Sequence, residues 1–363
     1  MDNRPISIGC VSKPEARILG SMTLGRSQIQ LFLGDTIMNR RRFVLSSVAA
    51  GLSITHPLSR AQSLPDSVRI FAGFAPGGTV DVTARRVADK LRDIVAKSLV
   101  VENRTGAGGQ IALSALKASS PDGLTMVVTP MSMLGIYPHT YKKLPYDPVA
   151  DFQPVSQAVR FDFGFAVGPM VPASVRTLGE FITWCKANPK DANFGSPAAG
   201  SVPHFVAEIF GRFAGVDLKH VPYRGTQLAI ADLLGGQIAA VSGPVGEFLQ
   251  HLPGGKIRLI ATSGATRNKF APTVPTFVEQ GYKDIVFDEW FGFYMPAKVP
   301  AEVLNRTAQA IRNALGSPDL IESLGQMGLE ASPSTPAELA ALLKKDSDRW
   351  APLIKTIGFT AES

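Results

Sequence analysis

Cysteine is nearly absent. Of two in 363 residues, Cys10 lies in the leading segment and Cys185 stands alone in the body of the chain. A single thiol closes no intramolecular disulfide, and a Cys-based metal framework needs several. Net charge is also scarce where it would matter. The chain carries a formal +7, but residues 1–61 hold eight Lys/Arg against three Asp/Glu, which leaves 29 basic and 27 acidic side chains beyond them. A nearly neutral body offers no basic stripe to a phosphate backbone, so nucleic acid is not an expected partner. No apolar run reaches the ~20 residues of a membrane-spanning helix. G-x-S-x-G, a Walker loop, H-E-x-x-H and a clustered Cys/His set are all missing. Ser201 and His204 sit together at one helix start with no third member, a poor nucleophile–base arrangement. The expectation is a protein without catalysis, cofactor or metal.

What is present begins with an address. Residues 39–61 read NRRRFVLSSVAAGLSITHPLSRA: three arginines, an apolar run from Phe43 to Ile54, then Ser59 and Ala61 framing a cleavage site before Gln62. Arg40 to Leu45 resembles the twin-arginine export motif RRxFLK, departing with Val44 for Leu and Leu45 for Lys. General secretory export, which basic leaders also serve, stays open. Residues 1–37 are odd ahead of such a signal, and Met38 would start an ordinary one. The mature protein is therefore expected in the periplasm, beginning near Gln62.

Beyond Leu64, short apolar strands alternate with amphipathic helices, the signature of α/β layers. With 45% hydrophobic residues, the chain can build two lobes of ~150 residues each. Strands are expected at Val68–Phe74, Leu99–Glu102, Thr125–Val128, Ala192–Phe194, Gln237–Ser242 and Ile257–Thr262. Helices are expected at 80–95, 109–118, 175–187, 202–213, 226–235 and 301–315. In the first, Val80, Ala84, Val87, Leu91 and Val95 share a face; in the fourth, Val202, Phe205, Val206, Ile209 and Phe213 do. Ser317-Pro318 opens a short helix, and Thr335-Pro336-Ala337-Glu338 has the form of a capping box. Trp184-Cys185, on an apolar helix, reads as core.

Two strand-to-helix junctions are rich in glycine and small hydroxyl residues: Phe74-Ala75-Pro76-Gly77-Gly78-Thr79-Val80-Asp81, and Gly195-Ser196-Pro197-Ala198-Ala199-Gly200-Ser201-Val202-Pro203-His204. Glycine lets backbone approach a ligand, and first-turn N–H groups lack partners inside their helix. Such ends attract carboxylates and phosphates.

Over nearly its whole length beyond the leader, the chain resembles the Bug-type solute receptors of tripartite tricarboxylate transporters. The matching segments include FAPGGTVDVTAR at 74–85, ENRTGAGGQIA at 102–112, YDPVADFQPVS at 146–156, FGSPAAGSVPHF at 194–205, HVPYRGTQLAIADLLGGQI at 220–238 and DRWAPLIKTIGF at 348–359. The resemblance implies a two-lobed α/β periplasmic-binding-protein-like fold of type II. Each lobe would be a mainly parallel sheet flanked by helices, with the ligand cleft between them. Lobe 1 would comprise 64–163 plus 288–363 and lobe 2 would comprise 164–287. It further implies a monomer that takes a small carboxylate and delivers it to membrane permease subunits. The alternatives are a periplasmic sensor signalling to a kinase and, less in keeping with the residues, a secreted hydrolase. Carried over residue by residue, the site comprises Phe74, Gly77, Gly78, Thr79 and Asp81 from the first loop and Gly195, Ser196, Gly200, Ser201 and His204 from the second. Where relatives often have small residues and proline, this chain has Arg160-Phe161-Asp162-Phe163. The resemblance puts Arg160 and Phe161 near the cleft, the first favouring a second acidic group on the ligand and the second a ring. Arg224 in VPYRG is expected outside the contact layer.

Overall fold

A computed structural model of the protein describes residues 64–361. The export signal, Cys10, Met38 and the cleavage position lie outside the described residues. In strand β1 (Ser67–Ala72) exposed Ser67 and Arg69 alternate with buried Val68 and Ile70, as a half-covered strand requires. Helix α1 (Thr79–Leu91) buries Val80, Ala84, Val87 and Leu91 on one face. It stops short of the expected 95 because Arg92 is extended and Asp93 turns left-handed at φ 60°, a conformation that Asp tolerates better than most residues. Val95 still reaches the core, from the turn rather than the helix. Strand β2 (Ser98–Asn103), helix α2 (Gln110–Lys117) and strand β3 (Thr125–Pro130) follow, with β1 parallel to both β2 and β3. A wide helical turn, Ser132–Ile136, leads into the short helix α3 (Tyr137–Thr140).

Strand β4 (Phe152–Val167) is sixteen residues long and joins the two halves of the molecule. Its first part pairs antiparallel with β9 (Asp288–Pro296), and its last five residues pair with β7 (Ala240–Pro244). Strand β8 (Arg258–Thr262) also pairs with that end. The register against β9 shifts twice, between Pro154 and Ser156 and between Gln157 and Val159. Such bulges interrupt the period-2 pattern by which a strand is read in sequence. The second half repeats the first: helix α4 (Leu178–Ala187), strand β5 (Asn193–Ser196), helix α5 (Val202–Ala214), strand β6 (Lys219–Pro222), helix α6 (Thr226–Leu234) and the short helix α7 (Val245–Leu249). Here β5 is parallel to β6 and β7. Each half therefore has parallel outer strands. The centre, β4 and β9, is antiparallel, so the sheets are mixed rather than uniformly parallel.

The whole ladder runs β2-β1-β3-β9-β4-β7-β5-β6, with β8 and β10 (Glu330–Ala331) added to β4. Helix α4 begins at Leu178, not 175, because Thr177 caps it in a reciprocal box with Glu180. Phe213 falls on the apolar stripe of α5 yet is 58% exposed, since the last turn runs past the edge of the core. Cys185 is buried, and burial pushes its thiol up to about 12. The chain ends in helices α8 (Ala301–Leu315), α9 (Pro318–Gly325) and α10 (Pro336–Ile357). Helices α8 and α10 pack on β4, and α9 packs on β10 and α1. Thr335 and Glu338 form the expected capping box of α10.

Candidate functional site

Both glycine-rich junctions converge on one cavity between the halves. The first loop links β1 to α1. Gly77 adopts φ 80°, and its N–H donates to Asp81 Oδ2 at 3.0 Å. Asp81 Oδ1 also accepts from Asn103 Nδ2 at 2.8 Å, and Arg85 binds the same carboxylate. Burial raises the Asp81 carboxyl, but the bonds from Arg85, Gly77 and Asn103 outweigh it and hold the group below its ordinary range. Asp81 thus braces the loop from behind. The cavity is reached by Phe74, Gly78, Thr79 and Val80.

The second loop links β5 to α5. Gly200 has φ 74°, and its N–H donates to His204 Nδ1 at 3.1 Å. His204 stacks on His220 with ring centroids 4.0 Å apart. Burial drives His204 down to about 2 and His220 down to about 4, so both rings are neutral. Ser196 Oγ bonds His220 Nε2 at 2.7 Å, and Ser201 Oγ donates to Ala198 O at 2.7 Å. A side chain at Gly195 would meet Ile238 and Tyr223 at 2.9 Å, so that glycine makes room for packing. Pro197, Ala198, Ser201 and Pro203 face the cavity.

Of the residues expected at the site, Phe74, Gly78, Thr79, Phe161 and Ser201 line this cavity together. Gly77, Asp81, Gly195, Ser196, Gly200 and His204 lie behind its wall, shaping the loops. Arg160 lies outside it. Its guanidinium is half exposed, donates to Asp288 Oδ2 at 2.8 Å and borders two other surface grooves. Arg224 is exposed and does not line the cavity either.

What fills the helix starts was not anticipated. Glu247, on α7, crosses to α1: its Oε1 accepts from the Thr79 N–H at 3.0 Å and from Thr79 Oγ1 at 2.7 Å, and its Oε2 accepts from Gln227 Nε2 at 3.2 Å. At the other start, the Val202 N–H donates to Ser132 Oγ at 3.2 Å. Ser132 in turn gives both its hydroxyl and its N–H to Glu289 Oε1, the latter at 2.8 Å. Both glutamates are 3% exposed and both line the cavity. Burial raises each carboxyl, Glu289 to about 7, where Asp288 and Asp346 add to the effect and the Ser132 bonds oppose it. The apolar part of the wall is Met133, Phe163 and Phe291 beside Phe74 and Phe161, and Thr79, Ser132, Ser201, Thr226 and Gln227 add neutral polar groups. Among the described residues, no Lys, Arg or His lines it. A signal was present in sequence for Glu247, which interrupts the apolar run PVGEFL at 244–249, and an isolated acid in such a run is worth reading as buried and functional; Glu289, next to Asp288 at the head of WFGFYM, carried none.

Residues 83–359 match the model of the tripartite tricarboxylate transporter family receptor. BugT of Bordetella pertussis is 30% identical over 322 residues, covering 88% of this chain and 98% of BugT. The solved periplasmic binding protein BugD superposes with a TM-score of 0.77 at 27% identity, over 82% of this chain and 99% of its own. An R. palustris protein solved with adipate gives the same TM-score of 0.77 and 27% identity, over 81% of this chain and 98% of its own.

Proposed function

The chain belongs to the tripartite tricarboxylate transporter receptor family, and from that premise we propose that it is an extracytoplasmic receptor that captures a small organic acid and hands it to membrane permease subunits. The observation that carries this reading is the single cavity at which the starts of α1, α5 and α6 meet across the two halves. Helix starts present first-turn N–H groups with no partner inside their own helix, and those not taken by Glu247 or Ser132 suit a carboxylate. Lobe 1 is assigned residues 64–163 and 288–363, lobe 2 residues 164–287, with β4 as one crossover and the segment entering β9 as the other. Gly78, Thr79, Ser201, Phe74 and Phe161 are assigned to the contact layer. Gly77, Asp81, Gly195, Ser196, Gly200 and His204 are assigned to holding the loops in shape. Adipate on a relative of the same fold supports an organic acid as the ligand class. BugD supports the periplasm as the compartment, reached by the arginine-led signal of residues 39–61.

The test is to purify the protein from its own periplasm and to identify, by mass spectrometry, small molecules released on denaturation. An organic acid that rebinds in titration calorimetry is the expected result. Release of a nucleotide, a sugar or a metal ion in stoichiometric amount would sink the reading.

A further inference from the structure

The cavity that the receptor reading assigns to the ligand has an unusual polar inventory. Two acidic side chains enter it, Glu247 from α7 and Glu289 from β9, on opposite halves of the molecule. No basic side chain of the described residues enters with them. A buried carboxylate without a counter-charge is costly, so such groups are found paired, protonated or held for a ligand. Glu247 spends both oxygens on Thr79 and Gln227. Glu289 spends only Oε1, on Ser132; no hydrogen bond to its Oε2 is made among the described residues. That oxygen is left without a protein partner, on a residue that is 97% buried and lines the cavity, and it is an acceptor when the carboxyl is ionised. The same cavity is lined by the rings of Phe74, Phe161, Phe163 and Phe291 and by Met133.

A simple dicarboxylate would bring two further negative charges into a space that holds two acids and no cation, and would require both acids to stay protonated. A ligand with a nitrogen donor does the reverse, giving the Glu289 oxygen its missing partner and compensating its charge. We infer that the organic acid taken by this receptor also carries an amino or amide nitrogen on a short apolar body, with Glu289 receiving that nitrogen and Glu247 supporting it from the other half. The ligand carboxylate then points away from the two acids. This inference rests on the receptor reading of the cavity.

The experiment uses matched pairs of solutes that share a skeleton and differ in one end: aminobutanoate against succinate, aminohexanoate against adipate, aminobenzoate against terephthalate. Binding to the ligand-stripped receptor is measured by titration calorimetry at neutral pH. The nitrogen-bearing member of at least one pair is expected to bind at least about tenfold tighter than its partner, the worth of one charge-assisted hydrogen bond. In Glu289→Gln, which keeps the size of the side chain and an acceptor for Ser132, that preference is expected to shrink to about twofold or less. Tighter binding of the dicarboxylates would overturn the inference while leaving the receptor reading intact. Binding of no member of any pair would overturn both. An undiminished preference in Glu289→Gln, with an unchanged melting temperature, would remove Glu289 from the assignment.

Discussion

At Glu289, burial and hydrogen bonding oppose each other. Burial raises the carboxyl from 4.5 to about 7, with Asp288 and Asp346 adding repulsion, while the Ser132 donors pull it down. The folded protein therefore holds this proton more tightly than the unfolded chain. Its contribution is complete below about pH 4.5 and is lost as pH rises through about 7. The full difference is about 3 kcal/mol. Urea unfolding near pH 5 and near pH 8 is expected to show wild type losing up to this amount, and Glu289→Gln losing much less; equal losses in the two proteins would refute the assignment. His204 and His220 act in the opposite sense. Burial depresses both rings, to about 2 and about 4, so the unfolded chain takes up protons first and stability is lost as pH falls below about 6.5. His204→Gln, which keeps an acceptor for the Gly200 N–H but does not titrate, is expected to flatten that acid limb. A wild-type slope in the variant's denaturation curves would show that the histidine pair is not its source.

At the scale of elements, the two loops use glycine for different reasons. Gly78 has φ −74°, open to any residue, and a Cβ there would lie 3.5 Å from Glu247 Oε1. Valine at this position crowds the cavity and the Thr79–Glu247 contact, so Gly78→Val is expected to lower ligand affinity at least about tenfold by loss of one charge-assisted bond, with a small change in melting temperature. Gly200 has φ 74°, and its Cβ would lie 3.2 Å from Thr140 Oγ1. A side chain there is strained as well as crowded, at about 1–3 kcal/mol, so Gly200→Val is expected to lower the melting temperature first and affinity as a consequence. Parallel melting and calorimetry on the two variants separate these outcomes; the reverse order would show that the roles of the loops are exchanged.

For the molecule as a whole, the two halves meet through bonds that flank the cavity. Thr79 binds Glu247 on one side, and Val202 binds Ser132 on the other. Farther out, Tyr141 donates to Ala199 O and Arg212 to Ile357 O, while Phe359 packs edge-on against Phe205. A solute held between the halves adds contacts that exist only when they are closed, so it favours the compact state. Small-angle scattering is expected to give a smaller radius on adding ligand, and Glu247→Ala is expected to enlarge the radius without it. Tight binding with no change in radius would remove closure from the mechanism.

Much of this was legible in the sequence because it is local. Strand and helix order follows from apolar periodicity, Thr335 and Glu338 cap α10 within one turn, and the glycines of both loops sit where strands give way to helices. The sixteen-residue β4 was not legible, because its bulges break the alternation that marks a strand. Nor was the filling of the helix starts. A helix start is encoded by its own few residues, whereas the acceptor that reaches it comes from wherever the sheets bring one: Glu247 is 168 positions from Thr79, and Glu289 is 157 from Ser132. The sequence by itself determined that two anion-attracting helix starts exist. Only the tertiary structure decided that each is met by a buried acid or by a hydroxyl bound to one, because burial, charge and pairing over such separations are set by the packing of the two halves.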